Sequence, residues 1–134
     1  MRSRPITSGL FVNDGDRPQL VLGKCDACGR THFPAGSSCC YCAGPAQSVL
    51  GGEEGSLWLH TAIRSAPPGY RGRVPYGFGI VRLPDGLYVV SRLTESDPDR
   101  LVPEQPMRLV VETIATDDDG TEVLSYAFAP KAPR

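Results

Sequence analysis

The chain has 134 residues, enough for one ordinary domain or two small ones, and its 40% hydrophobic and 22% charged content is that of a globular protein. Fourteen basic against fifteen acidic residues leave a formal charge of −1, so no long-range field draws in a polyanion. No stretch is long and apolar enough for a membrane helix, and no apolar signal core follows Met1-Arg2-Ser3-Arg4-Pro5. The expected location is therefore the cytoplasm, where clustered cysteines serve as metal ligands or redox groups rather than as disulfides.

Fifteen glycines and thirteen prolines favour turns and short strands over long helices. Residues 1–18 read as an arm, with one helical turn or short strand at Leu10-Phe11-Val12. Residues 19–46 hold all five cysteines, entered by the strand Gln19-Leu20-Val21-Leu22 and containing Thr31-His32-Phe33-Pro34 between the two clusters.

Residues 47–130 read as strands, with residues 131–134 as a tail. Ser56 to Ile63 alternates loosely with period two, followed by runs at Tyr76–Leu83 and Gly86–Leu93. The turn Pro84-Asp85-Gly86 joins the last two as a hairpin. Met107–Ile114 and Glu122–Phe128 are the fourth and fifth runs, joined through Asp117-Asp118-Asp119-Gly120. Between the third and fourth runs, Ser96 or Asp97 caps a short helix with Pro98 in its first turn. Five strands with a short helix between the third and fourth fit a five-stranded OB-fold barrel, a small Greek-key barrel. A generic β-sandwich is the alternative. The fold class is thus mainly β, with a rubredoxin-like zinc ribbon ahead of the barrel.

The cysteines stand as Cys25-Asp26-Ala27-Cys28-Gly29 and Cys39-Cys40-Tyr41-Cys42-Ala43-Gly44. Two C-x-x-C pairs suit one tetrahedral zinc, each pair forming a knuckle that aims two sulfurs at the ion. Gly29 can turn the chain with positive φ after the first pair, and Gly44 can do similar work after the second. Cys25, Cys28, Cys39 and Cys42 are the expected ligands. Cys40 would give the poorer C-x-C spacing and is left as a free thiol, and His32 and His60 are not needed. Four thiolates close the coordination sphere, so the zinc should be structural rather than catalytic.

Leu22-Gly23-Lys24-Cys25-Asp26-Ala27-Cys28-Gly29 with Phe33-Pro34 resembles the start of the zinc-ribbon/OB-fold family associated with acyl-CoA enzymes, formerly a domain of unknown function. Ala66-Pro67-Pro68-Gly69-Tyr70, Val74-Pro75-Tyr76 and Ile80 to Gly86 look like its central stretch, and Tyr126 to Pro130 like its closing strand. The likeness covers roughly residues 19–130. It departs at Cys40, where the family has proline, at Glu53-Glu54-Gly55 in place of a Gly-x-Gly, and at Pro103-Glu104-Gln105-Pro106, where the family has a glycine; none of these removes a ligand or a core strand.

The resemblance implies a non-catalytic small subunit in a hetero-oligomer with a thiolase-fold catalytic partner: a thiolase, a retro-aldolase or an acyltransferase acting on a lipid, steroid or aromatic acyl-CoA. Such a subunit supports assembly and shapes or gates the acyl-CoA site, with a coenzyme A thioester as the ligand of the complex. The loop Arg64-Ser65-Ala66-Pro67-Pro68-Gly69-Tyr70-Arg71-Gly72-Arg73 is the candidate contact. Its guanidinium groups at Arg64, Arg71 and Arg73 suit phosphates or an acidic partner patch, with Tyr70 beside them. Leu10, Phe11, Val12, Trp58 and Tyr70 are expected to be partly buried only in the complex. Two other classes stand against this reading. An OB-fold single-strand nucleic-acid binder would stack bases on Trp58, Tyr76, Phe78 and Tyr88, but a chain without excess positive charge is a poor phosphate binder. A thiol enzyme would rest on Cys40 alone.

Overall fold

The computed structural model describes residues 2–13 and 17–131. They fall into two compact units, one within Thr7–Glu53, the other within Met1–Ile6 and Glu54–Arg134. Each is a β structure, and the one helical element among the described residues is a single 3-10 turn at Pro98–Arg100.

The first unit is a four-stranded sheet of β2 (Phe11–Val12), β3 (Gln19–Cys25), β4 (Thr31–His32) and β5 (Ala46–Gly51). β3 is its spine, antiparallel to the other three. Leu20 and Leu22 point inward from β3, and with His32, Cys25 and Cys39 they are the buried centre of the unit. The ribbon sheet is wider than the 19–46 span: Phe11 pairs with Leu20, and residues 46–51 pair with Leu20 to Cys25 of β3. Its antiparallel pairing with β3 assigns the segment after Pro45 to the ribbon sheet.

The second unit is a closed barrel. Its strands are β6 (Glu54–Ile63), β7 (Tyr76–Arg82), β8 (Tyr88–Leu93), β9 (Pro106–Thr116) and β10 (Glu122–Pro130). Neighbours run β9-β6-β7-β8-β10, and β10 pairs β9 again to close the ring. The β8–β10 contact is parallel and the other barrel pairings are antiparallel. This is the OB arrangement, so the sandwich alternative falls away. Strand β1 (Ser3–Pro5) lies parallel to the first half of β10 and extends that edge. Among its described residues the arm thus supplies two short strands, one to each unit, and no helical turn.

Local chemistry explains the connections. Between β7 and β8, Gly86 takes φ 91° and Asp85 Oδ1 accepts from the Leu87 amide at 3.1 Å. Asp97 caps the 3-10 turn by accepting from the Asp99 amide, with Pro98 next in sequence. Inside the barrel, Leu57, Val81, Val89, Leu93, Met107 and Phe128 are fully buried. Phe128 is the largest of them, so Phe128→Ala should cost about 3–5 kcal/mol of barrel stability. Urea unfolding of the zinc-loaded protein, followed by far-UV circular dichroism, measures it.

Candidate functional site: a four-cysteine centre and an arginine-lined cavity

The Sγ atoms of Cys25, Cys28, Cys39 and Cys42 all lie within 4.8 Å of one another. Cys25 and Cys42 approach to 3.5 Å, and Cys28 and Cys39 to 3.6 Å. Tetrahedral zinc with sulfur at about 2.3 Å needs edges of about 3.8 Å, so the donor set fits this ion in kind, number and spacing. Cys25 and Cys39 are buried, while Cys28 and Cys42 reach the surface. Cys40 is exposed and outside the cluster. His32 is buried on β4 opposite Gly23, and His60 Nε2 sits 3.1 Å from the Pro98 carbonyl, so neither joins the sulfurs.

The two knuckles are built alike. In the first, the amides of Ala27 and Cys28 donate to Cys25 Sγ at 3.3 Å, and Gly29 N–H closes the turn on the Cys25 carbonyl at 3.1 Å. In the second, the Tyr41 amide donates to Cys39 Sγ at 3.3 Å, and Ala43 N–H closes on the Cys39 carbonyl at 2.9 Å. Gly29 turns with φ 75°; its counterpart is Ala43, at φ 64°, and not Gly44 as expected. Gly44 has a different job: a Cβ there would lie 3.3 Å from Cys42 Sγ and 3.4 Å from Cys25 Sγ, so its bare backbone lets the chain pass the sulfurs. Arg30, just after the first knuckle, lies over the Tyr41 ring of the second at 4.8 Å.

Electrostatics also suit a cation. The Cys28 amide, then the Ala27 amide and the Cys42 and Cys28 thiols, outweigh burial and draw the Cys25 thiol down to about 6. At Cys42 the Gly44 amide pulls the same way, but the Cys25, Cys28 and Cys39 thiols and burial prevail and push it up to about 11. Thiols this close share protons when no cation balances them, and a zinc ion removes the conflict by holding all four as thiolates.

The loop candidates lie on the barrel unit. Arg71 Nη1 pairs with Asp118 Oδ1 at 2.7 Å, which ties the β6–β7 loop to the β9–β10 turn. Arg64 and Arg73 are exposed, and no ion pair joins either to an acid among the described residues. Tyr70 donates its hydroxyl to the Arg73 carbonyl at 2.8 Å, and its ring lies 5.1 Å from that of Tyr76. Tyr70 and Arg73 help line a cavity of about 320 Å³ with Tyr76, Arg92, Glu112 and Ile114. Arg92 is the residue that sequence reasoning missed. Its guanidinium lies 4.3 Å from the Tyr76 ring centre and 5.7 Å from that of Tyr70, and its Nε donates to Glu112 Oε1 at 3.2 Å. A lone arginine in a strand carries no motif; only the register of β7, β8 and β9 brings these groups together.

Two compact β units, one with a closed tetrathiolate and one an OB barrel, define the class of zinc-ribbon/OB-fold proteins. Comparison with known proteins agrees along most of the chain. Residues 13–46 match the ChsH2 rubredoxin-like zinc ribbon domain, and residues 48–112 match the ChsH2 C-terminal OB-fold domain. The benzoylsuccinyl-CoA thiolase subunit BbsA of Thauera aromatica is 30% identical over 86% of this chain and 78% of its own length. A DUF35 domain-containing scaffold protein of Pyrococcus furiosus is 26% identical over 86% of this chain and 85% of its own. Among solved structures, a chain of the Ltp2-ChsH2(DUF35) aldolase superposes with a TM-score of 0.64 at 23% identity over 84% of each chain, which supports the fold. The chain belongs to the ChsH2 family of zinc-ribbon and OB-fold proteins. None of these relatives favours the single-strand nucleic-acid alternative. No helix among the described residues is long and apolar enough to cross a membrane.

Thiolates are required for binding, so zinc should stay bound at pH 7.5 and leave as acid protonates the cluster; without metal the Cys25 thiol is already drawn down to about 6, and a bound ion lowers it further. A metallochromic dye follows the release. Cys25→Ser should lower zinc from one ion per chain toward none and unfold the ribbon, read by elemental analysis and circular dichroism.

Proposed function

We propose that this protein is the non-catalytic small subunit of a thiolase-fold acyl-CoA enzyme complex in the cytoplasm, supporting its assembly and shaping or gating its acyl-CoA site. The observation that carries the proposal is the 30% identity, over 86% of the chain, to a relative named as a thiolase subunit. The site chemistry agrees. A zinc held by Cys25, Cys28, Cys39 and Cys42 keeps no open position for substrate or water, so it serves structure. His60 is engaged by the Pro98 carbonyl and His32 is enclosed in the ribbon, which leaves neither poised as a general base. The nucleophile and acid–base groups then belong to the large subunit.

Within this reading the β6–β7 loop meets coenzyme A or the partner. Arg64 and Arg73 are its phosphate-directed cations, Tyr70 shapes the cavity wall, and Arg71 holds the loop through Asp118. Co-expression of the tagged chain with the thiolase-fold protein of a neighbouring reading frame should give a stable complex, with acyl-CoA turnover by the complex and none by this chain alone. Replacing Arg64 and Arg73 with alanine should weaken acyl-CoA binding by the complex about tenfold, as expected for a lost charge-assisted contact. Purification of the tagged chain alone, or turnover by the lone chain, overturns the subunit reading. Unchanged acyl-CoA affinity in the double variant overturns only the loop contact.

A further inference from the structure

The outward face of β6, β7 and β8 is apolar where a solvent-facing sheet is ordinarily polar. The register sets Leu59, Ile80 and Val90 in one row across the three strands. Leu59 is 56% exposed and Val90 52%. On one side of this row, a break in the β6–β7 register leaves Trp58 as an extra residue, a bulge that re-aims its side chain. Its ring meets that of Tyr88 edge-on at 5.4 Å, and both aromatics remain more than two-fifths exposed. On the other side the next row is Thr61, Phe78 and Arg92, and Arg92 opens into the cavity. A contiguous apolar patch of this kind marks an interaction site, whereas single exposed apolar residues do not.

The charges around the patch select its occupant. Along β7 and β8 the charged residues that share this face are Arg82 and Arg92, one on each side of the apolar row, and no acid lies on the face along either strand; on β6 the acid is Glu54, past Ser56 at the margin and joined to Lys131 at 2.7 Å. Arg92 is held ready: Glu112 fixes Nε, the Tyr76 ring backs the guanidinium, and the side chain is only 18% exposed. An arginine preset in this way against Tyr76, on a face that carries Trp58 and Tyr88 across the apolar row, gives that face the composition of an interface hot spot. A second copy of this chain would bring two more arginines, with its one acid on β6, Glu54, already joined to Lys131. A nucleic acid would meet aliphatic Leu59, Ile80 and Val90 in the middle, which offer no stacking surface.

We propose that the outward β6–β7–β8 face is where the thiolase-fold subunit docks, through an apolar patch of its own flanked by carboxylates that meet Arg82 and Arg92. The inference rests on the subunit reading above and names the surface that serves it. The test uses the full zinc-loaded chain and the co-encoded thiolase-fold protein, with binding measured by biolayer interferometry. The double variant Leu59→Asp, Val90→Asp should weaken the complex at least a hundredfold, and Trp58→Ser about thirtyfold. Val102→Asp, at an exposed position outside these rows, should leave affinity within twofold. Equal zinc content and far-UV circular dichroism certify each variant as folded. If wild type binds and both face variants bind equally well, this inference fails and the subunit reading stands. If wild type does not bind the partner, both fail. Wild-type self-association that the double variant abolishes, or capture of a single-stranded oligonucleotide that it abolishes, also overturns the docking assignment.

Discussion

Four sulfurs within 4.8 Å of one another are the constraint on which the ribbon depends. The buried centre of that unit is small: Leu20, Leu22, His32 and two of the cysteines themselves. Such a core does not offset the entropy of ordering some forty residues. A tetrathiolate zinc contributes about 10–16 kcal/mol of apparent binding free energy in small modules, and here it would join two knuckles that the backbone has already shaped. The amide hydrogens of Ala27, Cys28 and Tyr41 aim at sulfur, so negative charge is expected there before any metal arrives. The same closure that makes the ion effective for folding removes it from chemistry, because four protein ligands fill its positions.

The barrel has a different source of stability. Its ring closes through the long β9–β10 hairpin and the parallel β8–β10 contact, around Phe128, Met107, Leu57 and Leu93. Satisfying the interior fixes the exterior. Once Val81, Val89 and Leu93 point inward, period-two alternation obliges Ile80, Val90 and Arg92 to point outward. The apolar outer row is therefore not core that failed to fit. It is a second hydrophobic surface placed on the far side of the same strands, beside an arginine whose position is set by Tyr76 and Glu112.

Much of this was legible in the sequence, for local reasons. The two C-x-x-C pairs fix the sulfur donors by spacing, and Asp85-Gly86 and Asp119-Gly120 announce their turns by composition. Five strand runs and a capped turn in the right order led to the OB barrel. What escaped was set by distance along the chain. The arm reads as weak local structure because the partners of Ser3–Pro5 lie at residues 122–124, and nothing near residue 46 reveals that Ala46–Gly51 pairs with β3. The looseness of the Ser56–Ile63 alternation was the trace of the Trp58 bulge. A glycine wanted for space, as Gly44 is, looks in sequence like a glycine wanted for positive φ; Ala43 carries the turn instead.

On the proposed reading, zinc and barrel hold a scaffold that works by the surface it presents to a catalytic partner. Hydroxyl-radical footprinting of the zinc-loaded chain, alone and bound to the thiolase-fold subunit, reads that surface side chain by side chain. The account predicts that oxidation of Trp58, Leu59 and Tyr88 falls severalfold in the complex, while exposed Val102 reacts as before. Undiminished oxidation of Trp58, Leu59 and Tyr88 in a complex shown to be intact would contradict it.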